Sequence, residues 1–224
     1  MEDCIIIGNS TFSRRIKKYI EWTSFGKVCA YAVESQYRED STLDEIDVIS
    51  LDEMKEVYQS EKISLIMGIG YSEMGEVRRH VFEQIKEWGY VFQNFVHPSA
   101  IVSPDLNIGE GNIILEGTII ESGVSIGNAN LIFGGSQIGH DSTIGNYNTF
   151  ASKVLLSSMN KVENHCYLGD CSVVSPKIEL QNYALLGTMT HINKDLPANA
   201  VAVSEKSKII ESNKSKAYFN LFIP

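Results

Sequence analysis

An aliphatic residue recurs at every sixth position of this chain from Val96 to Ile192, with no insertion. The positions are Val96, Val102, Ile108, Ile114, Ile120, Ile126, Ile132, Ile138, Ile144, Phe150, Leu156, Val162, Leu168, Val174, Leu180, Leu186 and Ile192, of which only Phe150 is not aliphatic. A helix repeats every 3.6 residues and a strand every two, so neither accounts for a period of six. The period predicts a β-solenoid, a prism of short strands and turns in which every sixth side chain stacks in one interior. Burying each aliphatic contributes roughly 1.5–3 kcal/mol, most of it offset by chain entropy. A charged residue at Ile126 or Ile138 is therefore expected to break the prism.

The residues two places before the core positions are mostly small or polar (Asn112, Thr118, Asn130, Ser136, Ser142), and glycines recur just after them, as at Gly109, Gly127, Gly139, Gly145, Gly169 and Gly187. Such residues suit the corners of a solenoid, where the chain must turn. The first ninety or so residues have another rhythm. Cys4–Ile7, Lys27–Val33, Ile63–Met67 and Tyr90–Phe95 read as strands, whereas Phe12–Ile20, Leu51–Gln59 and Glu73–Trp88 read as helices. Alternation of this kind predicts a parallel sheet with helical crossovers, a small Rossmann-like domain. The expected organisation is thus an α/β N-terminal domain over residues 1–95, a solenoid over 96–197 and a tail over 198–224 that caps the solenoid or packs on a neighbour.

The formal charge of −9 argues against general nucleic-acid binding, which needs a basic face. Cys4, Cys29, Cys166 and Cys171 form no CxxC pair and read as reduced thiols, with Cys166 and Cys171 pointing differently because they hold different hexad positions. No segment approaches the ~20 apolar residues of a membrane span, and the acidic N-terminus is too short for a signal peptide. A cytoplasmic protein is expected.

Two further segments carry a resemblance. Asn94-Phe95-Val96-His97-Pro98-Ser99-Ala100 resembles the opening segment of acyltransferases built on a left-handed parallel β-helix, and Ile138-Gly139-His140-Asp141-Ser142-Thr143-Ile144-Gly145 resembles their catalytic hexad. With a Rossmann-like domain ahead of the helix, nearly the whole chain is similar to the nucleotide-amino-sugar 4-N-acetyltransferases and the related sialic acid O-acetyltransferases. The resemblance implies a homotrimer that binds acetyl-CoA in the groove between neighbouring β-helices and acetylates a nucleotide-linked amino sugar. The chain departs from such relatives in four places. Gly8-Asn9-Ser10-Thr11 stands for a glycine-rich loop, Val33-Glu34-Ser35 for a pair of aspartates, and Thr149 for a second histidine. Val201-Ala202-Val203-Ser204-Glu205-Lys206-Ser207-Lys208 stands for V-x-G-x-P-A-K.

By residue type alone, His140 is a surface histidine in a solenoid turn, at a corner position also held by Asn128, Asn146, Asn164 and Asn182, where side chains are expected to point outward. The resemblance makes it the general base, since an imidazole titrates near neutrality and can take a proton from an attacking amine. Asp141 would then orient the ring. The resemblance further implies main-chain donors for the thioester carbonyl near Ser157 and Ser158, close passage of the pantetheine arm at Gly187 and Thr188, and a CoA-facing charge at Lys208. In the N-terminal domain, Gly8, Asn9 and Ser10 are candidates for phosphate binding at a helix N-terminus, and Glu34 for the base or ribose. Arg14 and Arg15 read as a solvated helix face, Gly68 as structural, and His97 as a turn cap. His80, His165 and His191 hold no position equivalent to His140. No closely spaced histidine pair suggests a metal, and the missing acidic fingerprint argues against an NAD enzyme. O-acetylation of a sugar, or a non-catalytic sugar-nucleotide-binding solenoid, are the alternatives.

Overall fold

The computed structural model describes residues 3–60 and 62–205. The N-terminal part is a five-stranded sheet with β1 (Asp3–Ile7), β2 (Lys27–Val33), β3 (Thr42–Leu43), β4 (Ile46–Ser50) and β5 (Ser64–Met67), in the order β3-β4-β2-β1-β5. All pairings are parallel except β3 with β4. Helices α1 (Thr11–Trp22), α2 (Leu51–Val57) and α3 (Glu76–Glu87) make the crossovers. Side chains of β1 alternate between two cores, as the strand period requires. Cys4 and Ile6 pack with Ile16 and Ile20 of α1, whereas Ile5 and Ile7 pack with Met54 of α2 and Val81 and Ile85 of α3.

Two sequence expectations fail here. Tyr90–Phe95 is not a strand of this sheet; it makes one bridge, Leu65 with Phe92, and Phe95 already pairs within the solenoid. Its alternating buried residues, Tyr90 and Phe92, fill the space under α3 instead. The remaining parallel strand is Ile46–Ser50, whose acidic surroundings mask a short apolar alternation. Helix α3 also begins later than expected, after Glu73, Met74 and Gly75 take left-handed angles of 49°, 50° and 87°. The turn drops the chain onto the solenoid, where a Cβ on Gly75 would stand 2.5 Å from the Tyr147 carbonyl.

From Phe95 onward, two-residue strands form three parallel sheets of six, five and seven strands, the faces of a triangular prism. Each coil takes eighteen residues, so that Ile120 pairs with Ile138 and Ile138 with Leu156. The hexad ladder fills the interior, from Ile114 to Ile192, with Phe150 fully buried. The first face carries Ile101, Ile119, Gln137, Leu155, Val173 and His191 outward, and the second carries Asn107, Ser125, Thr143, Lys161 and Glu179. The early coils of the third face are covered by the N-terminal domain, with Ile113 and Leu131 in the same core as α1. The solenoid runs past residue 197. Val201–Ala202 adds to the third face, but pairs with Leu185–Leu186 sixteen residues back, so the last coil loses two residues and a six-residue ruler loses it.

The N-terminal domain is pinned to the prism by Arg78. This side chain is wholly buried and donates to the carbonyls of Gly70, Ala129 (2.7 Å), Tyr147 (2.7 Å) and Asn148 (3.2 Å) and to Thr149 Oγ1 (3.3 Å). Beside it, His165 is stacked between Tyr147 and Tyr183, with ring centroids 5.1 and 4.8 Å apart. Tyr183 donates to Glu76, and His165 Nδ1 meets the Met74 carbonyl at 3.1 Å.

Candidate functional site

The first candidate site follows from strand order. The chain leaves β1 for β2 on one side and returns on the other as β5, so the carboxyl ends of β1 and β5 open a crevice at the switch point. A cleft of about 530 Å³ lies there, lined by Gly8, Asn9, Ser10, Thr11, Phe12, Glu34, Tyr37, Gly70, Tyr71 and Ser72 among others. All four N-terminal candidates, Gly8, Asn9, Ser10 and Glu34, therefore meet in one cleft. Ser10 caps α1 by accepting from the amides of Phe12 and Ser13 in a capping box. Asn9 Nδ2 donates to the Tyr37 carbonyl at 3.0 Å and so holds the far wall. Gly68 is structural, since a Cβ there would collide with Ile6. Arg14 is paired with Asp44 at 2.6 Å, and neither Arg14 nor Arg15 lines the cleft. Among the described residues no lysine or arginine lines it, and the positive end of the α1 dipole is what the cleft offers an anion. Tyr37 and Tyr71 were not signalled by the sequence; each lies in a turn that only the fold brings to the cleft.

The second candidate site is the prism edge between the first and second faces. Here Gly139, His140, Asp141 and Ser142 turn the chain, with Asp141 at φ 56°. His140 Nδ1 lies 2.8 Å from Asp141 Oδ2, and both side chains are solvent-accessible. The Nδ1 proton is thereby directed to the carboxylate, and Nε2 is left as the proton acceptor. Glu121, one coil earlier, accepts from the His140 amide at 2.9 Å and from Gln137 Nε2 at 2.8 Å, fixing the turn from below. Glu121 is legible in sequence only with an eighteen-residue ruler. One coil the other way, Ser157 and Ser158 pass directly over Gly139, where a Cβ would stand 2.6 Å from the Ser157 carbonyl carbon. Among the described residues the Ser158 amide donates to no acceptor.

The hexad position of His140 is shared with Asn128, Asn146, Asn164 and Asn182, and the sequence suggested that all point outward. They do not. The asparagines occupy a different edge, between the second and third faces, and turn along the prism axis. Asn146 Oδ1 accepts from the Asn128 amide and Asn164 Oδ1 from the Asn146 amide, each at 2.8 Å. His97 does cap its turn, accepting from the Ser99 amide at 3.2 Å. His191 is on the first face, with Nε2 3.0 Å from Ser175 Oγ.

Gly187 and Thr188 lie on the third edge, between the third and first faces. Gly187 differs from Gly169 beneath it. A Cβ on Gly169 would meet backbone at 2.7 Å, whereas one on Gly187 would meet nothing nearer than Val203 Cγ1 at 3.3 Å. Gly187 is thus less tightly covered by its own chain than Gly169 is. Lys208 lies outside the described residues. In one chain, then, the cleft and His140 are kept apart. Tyr71 of the cleft touches Phe133 and Tyr167 on the third-face side, and His140 is on the edge opposite that face. Between them runs the first face, with Ile101, Ile119 and Leu155 exposed.

Fold and site together define a class, an α/β domain seated on a left-handed parallel β-helix with a histidine at one edge. Solved structures with this fold match over most of their length. PerB from Caulobacter crescentus, in complex with CoA and GDP-perosamine, superimposes with a TM-score of 0.80 at 21% identity, over 91% of this chain and 94% of its own. The acetyltransferase domain of PglB from Neisseria gonorrhoeae, in complex with acetyl coenzyme A, gives 0.80 at 15% identity over 93% and 99%. WeeI from Acinetobacter baumannii gives 0.77 at 20% identity over 93% and 100%. No protein-family profile matches the sequence, and no curated protein does. The likenesses establish the fold.

Proposed function

We propose that the protein is an acetyl-CoA-dependent N-acetyltransferase acting on the 4-amino group of a nucleotide-linked deoxy-amino sugar. The observation that carries this reading is the His140–Asp141 pair on a prism edge, in a chain that also holds a switch-point cleft. The likeness to the CoA-bound PerB and PglB structures supports it. Gly8, Asn9 and Ser10 hold the diphosphate at the α1 N-terminus, and Glu34 faces the base or ribose. Acetyl-CoA supplies the acyl group as an activated thioester. His140 Nε2 takes the proton from the sugar amine as it attacks, Asp141 holds the ring and offsets its charge, and the proton then passes to the departing thiolate. The free Ser158 amide meets the negative charge developing on the acyl oxygen. Gly187 and Thr188 flank the pantetheine arm.

The site is completed in a homotrimer. The second face is polar and the N-terminal domain covers the early coils of the third, whereas the first exposes Ile101, Ile119 and Leu155, with Ile101 67% exposed. Three prisms with first faces turned to a threefold axis bring the His140 edge of each copy against the Tyr71–Phe133 edge of the next. The cleft and the histidine, separated within a chain, then meet between chains.

A thiol-release assay with acetyl-CoA and a panel of UDP-, dTDP- and GDP-linked 4-amino sugars tests the reading, with the corresponding 4-hydroxy sugars as controls. Turnover of one amino sugar is expected, with none for its hydroxy analogue. Intact protein that releases no thiol with any amino sugar in the panel would overturn it.

A further inference from the structure

Glu34 stands at a rim. It lines the switch-point cleft and also an adjoining recess of about 330 Å³ bounded by Ser35, Gln36, Leu51, Asp52 and Gln84. The recess continues the cleft away from the α1 N-terminus, past the end of β2. It is where the base of a nucleotide would lie once its diphosphate sits on Gly8–Ser10; to this extent the inference rests on the reading of the cleft given above.

The recess carries two carboxylates, Glu34 and Asp52, beside the polar side chains of Ser35, Gln36 and Gln84. Glu34 is three-quarters buried, and Nε2 of the His80 ring stands 3.9 Å from its carboxylate. Asp52 is exposed in the first turn of α2 and has no partner among the described residues. Gln84 Oε1 is buried and accepts no hydrogen bond from any described group. Among the described residues no lysine or arginine lines the recess. An ionised carboxylate offers acceptors only, and its two oxygens suit two adjacent donors best.

We propose that the recess selects guanine, so that the nucleotide-linked substrate is a GDP sugar. Guanine presents N1–H beside the exocyclic N2–H₂, two neighbouring donors for the Glu34 carboxylate. Uracil and thymine present a single N–H between two carbonyl oxygens, which a carboxylate repels. Adenine and cytosine set their amino group next to a bare ring nitrogen, so one of the two carboxylate oxygens faces an acceptor. Asp52 adds negative potential that favours the donor-rich base.

Calorimetric titration of the full chain with GDP, UDP, dTDP, CDP and ADP tests this. GDP is expected to bind at least about tenfold more tightly than the others, the worth of one hydrogen bond to a charged group. In Glu34→Gln, GDP should weaken by about tenfold while UDP changes by less than about twofold; Asp52→Asn should reduce the GDP preference more mildly. Tighter binding of UDP or dTDP overturns the proposal. So does an equal loss for every diphosphate in Glu34→Gln, which would mark Glu34 as a ribose contact. Failure of all five to bind overturns the nucleotide reading of the cleft and this inference with it. A GDP preference without thiol release leaves guanine selection standing and removes the transferase reading alone.

Discussion

The Asp141 carboxylate rests over Gly123, one coil below, in space that a Cβ on Gly123 would occupy. The absence of a side chain at Gly123 is what lets Asp141 reach back to His140 Nδ1 at 2.8 Å. Other corner residues on this edge, Met159 and Lys177, take φ angles of 61° and 63°, so the backbone angle at Gly123, 71°, does not by itself require glycine. Gly123→Ala is expected to cost stability only about 1 kcal/mol, yet to lower kcat about 10- to 100-fold by displacing Asp141. Replacing His140 with Asn should lower kcat by about 10²–10⁴. Steady-state kinetics beside thermal unfolding would separate the two effects.

Arg78 is a buried cation with no carboxylate partner among the described residues; its charge is met by carbonyl oxygens of both the N-terminal domain and the prism. Burial pushes its pKa down from the usual arginine value. Arg78→Met would leave the Ala129 and Tyr147 carbonyls buried without donors. A loss of about 3–5 kcal/mol is expected, read as a lower denaturation midpoint.

The same interface gives a pH dependence. Burial lowers the pKa of His165 below its ordinary 6.5, despite Glu76 at 3.6 Å and the Met74 carbonyl, which favour the charged ring. The folded protein keeps the ring neutral where the unfolded chain binds a proton. Stability is therefore unaffected above pH 6.5 and falls as the pH drops below it. Glu76, whose pKa is lowered chiefly by the Tyr183 hydroxyl, loses its contribution only below 4.5. His165→Phe, which preserves the stack, should flatten the stability profile between about pH 7 and 5, measured by urea unfolding at a series of pH values.

Ile119→Lys together with Leu155→Lys would place charges on the first face. These side chains point away from the prism interior, so the fold should persist while the proposed trimer dissociates. Sedimentation analysis should give monomers, and thiol release should fall below about 1% of the parent because each cleft loses its neighbour's His140. Full activity in a monomer would refute completion of the site between copies.

The hexad ladder made the prism legible because every sixth residue faces one interior, and burial of a stack of aliphatics tolerates no other register. The His140–Asp141 hexad was legible by its resemblance to a known pattern. Arg78 was also within reach, since it shares the α3 face of Val81, Phe82 and Ile85 at helical spacing, but a cation there only makes sense once the carbonyls of another domain are known. The asparagine corners misled because hexad position does not identify which of three edges a residue occupies; only the eighteen-residue coil does.

By itself, then, the sequence determined the periodic core, the succession of an α/β domain and a solenoid, and the residue types available for chemistry. These follow from local spacing and side-chain burial. The tertiary structure decided what those residues can reach. It set Glu121, Gly123 and Ser158 around His140 through contacts eighteen or so residues apart. It gathered Gly8–Ser10 and Glu34 at the strand switch point. It also put that cleft and His140 on opposite sides of one prism, because a triangular coil sends successive hexads to different faces.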